Sequence, residues 1–246
     1  MEILRFMYQH LFFDLDNTIW DFTRNSREAL IQTFRFFGLD ETFFPQFYKS
    51  YIINNDKLWE EYRNRQITKE QLSVQRFGQT FAQTGIKNPD EAQFNKIYLE
   101  FMPQQTLLCP DARSVIEKLS QRHKLHIISN GFSEVQYKKM ENSGLSKFFT
   151  KIFISEEIKA PKPSPEIFLH ALKNSNARKE ESLMIGDSWE VDIVGAMNVG
   201  IDQVYYTPER GTADFTDVEK AAVGNSSTHT WCIKTLPELL TIIRSY

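Results

Sequence analysis

Leu11-Phe12-Phe13-Asp14-Leu15-Asp16-Asn17-Thr18 is an apolar run that ends in two carboxylates one residue apart and then a hydroxyl. Side chains alternate faces along a strand, and the alternation is lost where the strand gives way to a loop. Two aspartates at that boundary can therefore reach one small volume in different roles. The C-terminal edge of a parallel sheet is where open α/β folds place their chemistry. Taken alone, the stretch is equally compatible with a plain strand-to-turn junction, because Asp and Asn are ordinary turn residues and Thr an ordinary helix cap. What lies on either side decides between the two.

On the N-terminal side, residues 1–10 carry Glu2, Arg5 and His10 and contain no unbroken apolar stretch, which argues against a secretory signal. No apolar run approaches membrane-spanning length. On the C-terminal side the pattern turns helical. Asn25 followed by Glu28 reads as a capping box, with Leu30, Phe34 and Phe37 at helical spacing up to Gly38. Residues 43–65 are rich in aromatics. Thr68 and Gln71 read as a second capping box ahead of Leu72, Phe77 and Phe81, and Thr84-Gly85 stops that helix. A fourth helix, 89–101, ends before Pro103. Nothing from 21 to 102 reads as strand.

Beyond Pro103 strands and helices alternate, which implies parallel strands joined by crossover helices. Helix is expected at 111–121, strand at 124–129, and helix at 133–142, stopped by Gly144. Strand 151–155 is followed by a Lys/Pro-rich loop and a helix starting at Pro165, where the missing N–H costs nothing. Then come strand 183–185, helix 190–199 closed by Gly200, strands 203–206 and 230–233, and a helix capped by Thr235 and Glu238. Segment 213–227 carries no readable pattern. The first strand, 9–13, belongs with this alternating part. The expected fold is thus α/β: a Rossmann-like parallel sheet core with helices on both faces, made of 1–20 and 103–246, with an inserted helical cap domain at 21–102.

The chain of 246 residues has a net charge of −3, so no broad basic field favours nucleic acid or an anionic membrane. Any phosphate site must be locally basic. Cys109 and Cys232 form no CxxC pattern, which fits two ordinary thiols in a reducing, cytoplasmic compartment.

Three further strand ends finish in polar groups. Ser129-Asn130-Gly131 offers a hydroxyl and backbone N–H groups at a helix entry, suited to a phosphoryl oxygen. Lys159-Ala160-Pro161-Lys162-Pro163 holds a lysine between two prolines, a point charge on a restricted backbone. Gly186-Asp187-Ser188-Trp189-Glu190-Val191-Asp192 places two carboxylates five apart at a strand end and the next helix start. Singly each has a bland reading as a turn, a solvated loop or an acidic helix start. His123 and His126 flank a strand start and do not read as a metal site.

In this order, the four segments resemble the signature motifs of the haloacid dehalogenase-like phosphohydrolase superfamily: DxDxT at Asp14, Asp16 and Thr18, a hydroxyl at Ser129, a lysine at Lys162, and GDSxxxD at Asp187 and Asp192. The helical block between the first two motifs resembles that superfamily's C1 cap. The resemblance implies that Asp14 is the nucleophile and forms an aspartyl-phosphate, and that Asp16 is the general acid and base. It implies Mg²⁺ held by Asp14, Asp187, the backbone carbonyl of Asp16, and Asp192 as a ligand or behind one. Lys162, Thr18, Ser129 and Asn130 would meet the phosphoryl oxygens. The dehalogenase branch lacks the second aspartate, because halide leaves without a proton; this sequence has it.

Residues 131–136, continuing to Lys139 and Ser143-Gly144-Leu145, together with Ser155-Glu156-Glu157 and Leu58-Trp59-Glu60 with Tyr62, are similar to bacterial pyrimidine nucleoside 5'-monophosphatases, including house-cleaning enzymes for noncanonical nucleotides. The implied substrate is a small phosphate ester, a nucleoside monophosphate, acted on by a monomer or homodimer. Trp59, Tyr62 and Arg63, sharing a helix face, and Gln136 are the candidate specificity residues, although an aromatic stripe is more often core. Competing readings are a sugar-phosphate or phosphoglycolate-type phosphatase, a β-phosphoglucomutase-like mutase, and a non-catalytic regulator on the same fold.

Overall fold

The computed structural model describes residues 8–87, 89–208, 222, 224 and 226–244. Residues 1–7, and 213–221, 223 and 225 of the unreadable segment, lie outside these. The chain divides into two compact units, one of Met1–Phe22 with Leu107–Tyr246 and one of Thr23–Thr106.

In the first unit, strands β1 (His10–Phe13), β2 (Lys124–Ser129), β3 (Phe149–Ile154), β4 (Ser182–Gly186), β5 (Asp202–Tyr206) and β6 (Thr230–Ile233) form one parallel sheet in the order β3-β2-β1-β4-β5-β6. The chain moves outward from β1 to β3, then restarts on the other side of β1. That reversal opens a crevice at the C-terminal ends of the central strands, the usual ligand position of doubly wound sheets. Register fixes what lines it. Phe13 lies opposite Ile127 of β2 and Ile185 of β4, so Ser129 and Asp187 each stand two residues past that rung. The Asp14 N–H donates to the Ile185 carbonyl at 2.9 Å, carrying the pairing one residue further.

Past β1 the chain meets its own return. Trp20 and Leu108 form an antiparallel bridge, flanked by bonds from Asp21 N–H to Leu107 carbonyl (3.1 Å) and Cys109 N–H to Ile19 carbonyl (2.9 Å). Helix α1 (Phe22–Phe36) starts at once. The expected Asn25/Glu28 cap is therefore a correction: both sit inside α1, and Asn25 and Ser26 face its buried side, where Ser26 Oγ meets Tyr98 Oη at 2.7 Å. Polar residues serving a buried hydroxyl pair imitate a helix start. α1 ends one residue before Phe37, and Gly38 turns the chain with φ of +63°.

The second unit continues with α2 (Phe44–Arg63), α3 (Lys69–Thr84) and α4 (Glu91–Phe101). The Thr68/Gln71 capping box forms in both directions, as its sequence predicts. Pairs four residues apart, Leu30/Phe34, Phe47/Tyr51, Phe77/Phe81 and Phe94/Tyr98, supply one buried stripe per helix. Their rings interlock, with centroids 4.7 Å apart for Phe34–Phe47 and 4.9 Å for Phe77–Phe94. Each buried aromatic contributes about 1.5–3 kcal/mol, which lets four helices with no sheet hold together. Arg76 is buried in this core, bonded to Asn55 and Asn95 and lying over the Phe77 and Tyr98 rings.

Back in the first unit, α5 (Ala112–Leu119) and α6 (Ser133–Asn142) precede β3. Strand β3 ends at Ile154; Ser155, expected to close the strand, instead opens the short α7 (Ser155–Ile158), which takes the first residues of the expected loop. Helix α8 (Pro165–Ser175) has Pro at its first position as expected. It packs Ile167, Phe168, Ala171 and Leu172 on Phe12, Ile128, Phe153 and Met184 of the sheet. The helix predicted at 190–199 instead begins with a π-helical turn, Trp189–Ile193, before α9 (Val194–Asn198). The C-terminal helix Glu238–Arg244 is preceded by Thr235, whose N–H donates to Glu238 Oε1 at 2.8 Å. No helix among the described residues is long and apolar enough to cross a membrane.

Candidate active site

After Asp14 the chain must turn sharply for Asp16 to reach the same lip. Asn17 supplies the turn with φ of +60°, a left-handed conformation that asparagine tolerates better than most residues. The N–H groups of Ile19 and Trp20 both converge on the Leu15 carbonyl, and Asn17 N–H bonds the Trp20 carbonyl at 2.7 Å. The loop is thereby closed by its own backbone, and Thr18 is buried within it.

Lys162 reaches in from the loop after α7. Its Nζ lies 2.6 Å from Asp14 Oδ1 and 2.6 Å from Asp192 Oδ1, and all three side chains are buried. The lysine loop is held by Asn130, whose side-chain amide donates to the Lys162 carbonyl (2.9 Å) and accepts from its N–H (2.8 Å). The side chain of Asn130 thus serves the backbone of Lys162. Asp192 is delivered by the π-helical turn, with Oδ2 accepting from Ser188 N–H at 3.1 Å. It packs so closely on Gly186 that a Cβ there would overlap its carboxylate, so β4 must end in glycine. π-turns of this kind concentrate at functional sites. Asp187 follows, its Oδ1 accepting from Thr18 Oγ1 at 3.2 Å.

One carboxylate oxygen from each of Asp14, Asp187 and Asp192 falls within 4.8 Å of the others. Three carboxylates face a single ammonium here. Burial, reinforced by Asp192 and Asp16 and opposed by Lys162, pushes Asp14 up to about 7. Burial next to Asp14 and Asp192 raises Asp187 well above the carboxylate range. For Lys162, burial works against the charge, but Asp14 and Asp192 outweigh it and hold the ammonium above its ordinary range. The cluster is short of positive charge and offers only hard oxygen donors, a donor set that fits a small divalent cation such as Mg²⁺.

Asp16 faces a different set of groups. Its Oδ1 accepts from Lys139 Nζ at 2.6 Å and its Oδ2 from Gln136 Nε2 at 3.0 Å. Gln136 Nε2 also lies 2.7 Å from Ser129 Oγ, which accepts the Gly131 N–H at 3.2 Å. Gly131 is needed for this packing, because a Cβ there would come within 2.5 Å of Gln136 Cδ. Burial lowers the Lys139 amine, with Asp16 opposing.

The α/β unit therefore brings Asp14, Asp16, Thr18, Ser129, Asn130, Gln136, Lys162, Asp187 and Asp192 into one cluster. Trp59, Tyr62 and Arg63 lie at the end of α2 in the helical unit, half-buried, with Trp59 and Tyr62 edge to face at 5.6 Å. His123 bonds the Tyr8 carbonyl (2.8 Å) and His126 bonds His10 (3.0 Å), and neither joins a metal-ligating group among the described residues. Sequence reasoning did not single out Lys139 as a site residue. Its available signal was the spacing of Gln136 and Lys139, three apart on one face of the helix that follows Ser129-Asn130-Gly131.

A family model described as haloacid dehalogenase-like hydrolase matches residues 8–200. The chain belongs to this family. Among curated relatives of this hydrolase, pyrimidine 5'-nucleotidase PynA of Streptococcus pneumoniae is 33% identical over 205 residues, 82% of this chain and 84% of that protein. Pyrimidine 5'-nucleotidase YjjG of Escherichia coli is 33% identical over 192 residues, 78% and 82% of the two chains. Among solved structures, the magnesium-bound YfnB of Bacillus subtilis, described as revealing interdomain movement, superposes with a TM-score of 0.83 at 29% identity, covering 96% of this hydrolase and 99% of that chain.

Proposed function

We propose that this hydrolase is a Mg²⁺-dependent phosphomonoesterase that works through an aspartyl-phosphate, and that its substrates are nucleoside 5'-monophosphates, pyrimidine ones foremost. The observation that carries the reading is Asp16, a second carboxylate at the lip of β1, two residues beyond an aspartate already paired to a buried lysine. Displacement of halide needs no such group, whereas an alkoxide leaving group does. The 33% identity to two pyrimidine 5'-nucleotidases supports the substrate class.

A carboxylate oxygen of Asp14 attacks phosphorus as the bond to the ester oxygen breaks, and Asp16 delivers its proton to that oxygen. The leaving alcohol departs. Asp16, now a carboxylate, takes a proton from water as its oxygen attacks phosphorus, and the Asp14–phosphorus bond breaks to free phosphate and Asp14. Lys162 stays beside Asp14 throughout and offsets the negative charge of the phosphoryl group. The hydroxyls of Thr18 and Ser129 and the Asn130 N–H are the donors for the phosphoryl oxygens. Asp14, Asp187, Asp192 and the Asp16 backbone carbonyl would hold Mg²⁺, which supplies charge compensation between the carboxylates and the phosphate dianion.

The helical unit is the cap in this reading, and Trp59, Tyr62 and Arg63 select the leaving group, the rings through stacking on a base. The chain has two cysteines, Cys109 and Cys232, far apart in sequence and in no CxxC pattern, which supports a cytoplasmic setting. A phosphate-release screen over nucleotides and sugar phosphates with Mg²⁺ tests the substrate class. Preference for sugar phosphates overturns it. An Asp14→Asn variant that retains turnover within tenfold of wild type overturns the nucleophile.

A further inference from the structure

The buried face of α6 carries two side chains, Gln136 and Lys139, whose polar ends converge on the Asp16 carboxylate from different directions. Lys139 takes Oδ1 and Gln136 takes Oδ2, so both oxygens are held and the plane of the group is fixed. Neither holder has room to swing away. Lys139 is 2% exposed, with its ammonium 4.1 Å from the centroid of the Trp20 ring and 5.3 Å from that of Phe22, a cation-over-ring contact that fixes its far side. Gln136 is 1% exposed, wedged against Gly131 and tied through the same nitrogen to Ser129 Oγ. Trp20 is itself set by the backbone loop that carries Asp16, so carboxylate, ammonium and ring form one closed unit.

We propose that Lys139, backed by Trp20, and Gln136 are positioning residues that aim the Asp16 carboxylate at the leaving oxygen and register it against the Ser129 hydroxyl. A carboxylate has roughly four lone-pair sites, of which the clamp uses two and leaves the others for the ester oxygen or water. The side chain of Asp16 stays 27% exposed, open on the side the holders do not cover. Gln136 ties the two halves of the reaction together, because one amide nitrogen bonds both the proton-transfer group and the hydroxyl assigned to the phosphoryl oxygen. A buried lysine in this place is costly unless paired, and among the described residues its one carboxylate partner is Asp16. This assignment rests on the role proposed for Asp16 and also gives Gln136 work other than substrate selection.

The test is kcat/KM, which reports the steps up to departure of the leaving group, for uridine 5'-monophosphate and for 4-nitrophenyl phosphate, whose leaving group needs no proton. Asp16→Asn alone tests the underlying role: a larger loss on the nucleotide than on the aryl ester is expected, and equal losses remove the acid from Asp16 whatever Lys139 does. Lys139→Met then tests the clamp. Misplacement of a catalytic group by about 1 Å costs on the order of 100-fold, so a loss of about 10- to 100-fold on the nucleotide is expected, with less than about 3-fold on the aryl ester. In an Asp16→Asn background, Lys139→Met should add nothing on either ester. Proportional losses on both esters, no loss on either, or a full additional loss in the Asp16→Asn background would each overturn the proposal. Gln136→Met removes only the bonds to Oδ2 and Ser129, and carries the same two-ester test if Lys139→Met does not fold.

Discussion

Lys162→Met removes the only ammonium that, among the described residues, touches the buried acid cluster, while keeping much of the side-chain volume. The ammonium lies 2.6 Å from an oxygen of Asp14 and 2.6 Å from one of Asp192, and Asp192 and Lys162 are each 1% exposed. Removing one partner of a buried ion pair typically costs about 3–5 kcal/mol, because the other charge is left without compensation. Here one ammonium serves two carboxylates, so the loss belongs at the upper end of that range. For a unit of this size, each kcal/mol corresponds to roughly 2–4 °C, so the melting temperature in metal-free buffer should fall by about 10–20 °C. Added Mg²⁺ gives a second, independent readout. A cation at 100 times its dissociation constant stabilises by about 2.7 kcal/mol, and without a competing ammonium the cluster should bind it more tightly. The Mg²⁺-induced rise in melting temperature should therefore be larger in the variant than in wild type, while phosphate release stays lost. Calorimetry with and without EDTA measures both. A metal-free melting temperature within 2 °C of wild type, a threshold set below the roughly 2–4 °C expected for even 1 kcal/mol, would refute the reasoning, as would equal Mg²⁺ shifts.

EDTA should abolish phosphate release and Mg²⁺ restore it, with Asp187→Ala raising the Mg²⁺ concentration needed; full activity in chelator would count against the metal site. Trp59→Ala or Arg63→Ala should lower kcat/KM for a pyrimidine monophosphate by roughly 10- to 200-fold and change that for 4-nitrophenyl phosphate much less, whereas equal losses would mean a packing role. His126, buried against His10 and Phe12, is lowered by burial, then by His10 and the lysines Lys151 and Lys124, to about 3. The unfolded chain takes up the proton near pH 6.5, so stability is whole above that pH and falls as pH drops towards 3, by about 1.4 kcal/mol per unit. Between pH 7.5 and 5, wild type should lose about 2 kcal/mol more than His126→Phe in urea denaturation, since acid-sensitive groups that do not touch His126 cancel in the comparison; parallel losses would contradict it.

Strand ends and helix punctuation were legible because they depend on local rules. Pro165 opens α8 and Thr68/Gln71 caps α3 as residue type alone suggests. The strand ends of the α/β unit were legible for the same reason, and register then brings Ser129 and Asp187 level with each other. Where reading failed, a long-range partner had overridden local meaning. Asn25 resembles a cap but lies on the buried side of α1, because the helix already begins at Phe22, just after the Trp20–Leu108 bridge. The π-helical turn at Trp189–Ile193 answers to the packing of Asp192 on Gly186, which no periodicity reports. Lys139 was passed over as a site residue for the same cause: the spacing from Gln136 puts the two on one helix face, but the role of the lysine comes from a carboxylate 123 residues away.

The pairing of Trp20 with Leu108 has a consequence for how such chains diversify. It zips departure and return together, so the sheet sees residues 23–106 as one excursion that leaves and re-enters through a two-stranded neck. Closing a loop grows only slowly more costly with its length, by about 0.6 kcal/mol for each doubling. What hangs from the neck can therefore be shortened, enlarged or exchanged for an unrelated module with little disturbance to the strands beneath. In the proposed reading, with the helical unit selecting the ester, selectivity and the machinery for breaking the ester can then change on separate evolutionary clocks.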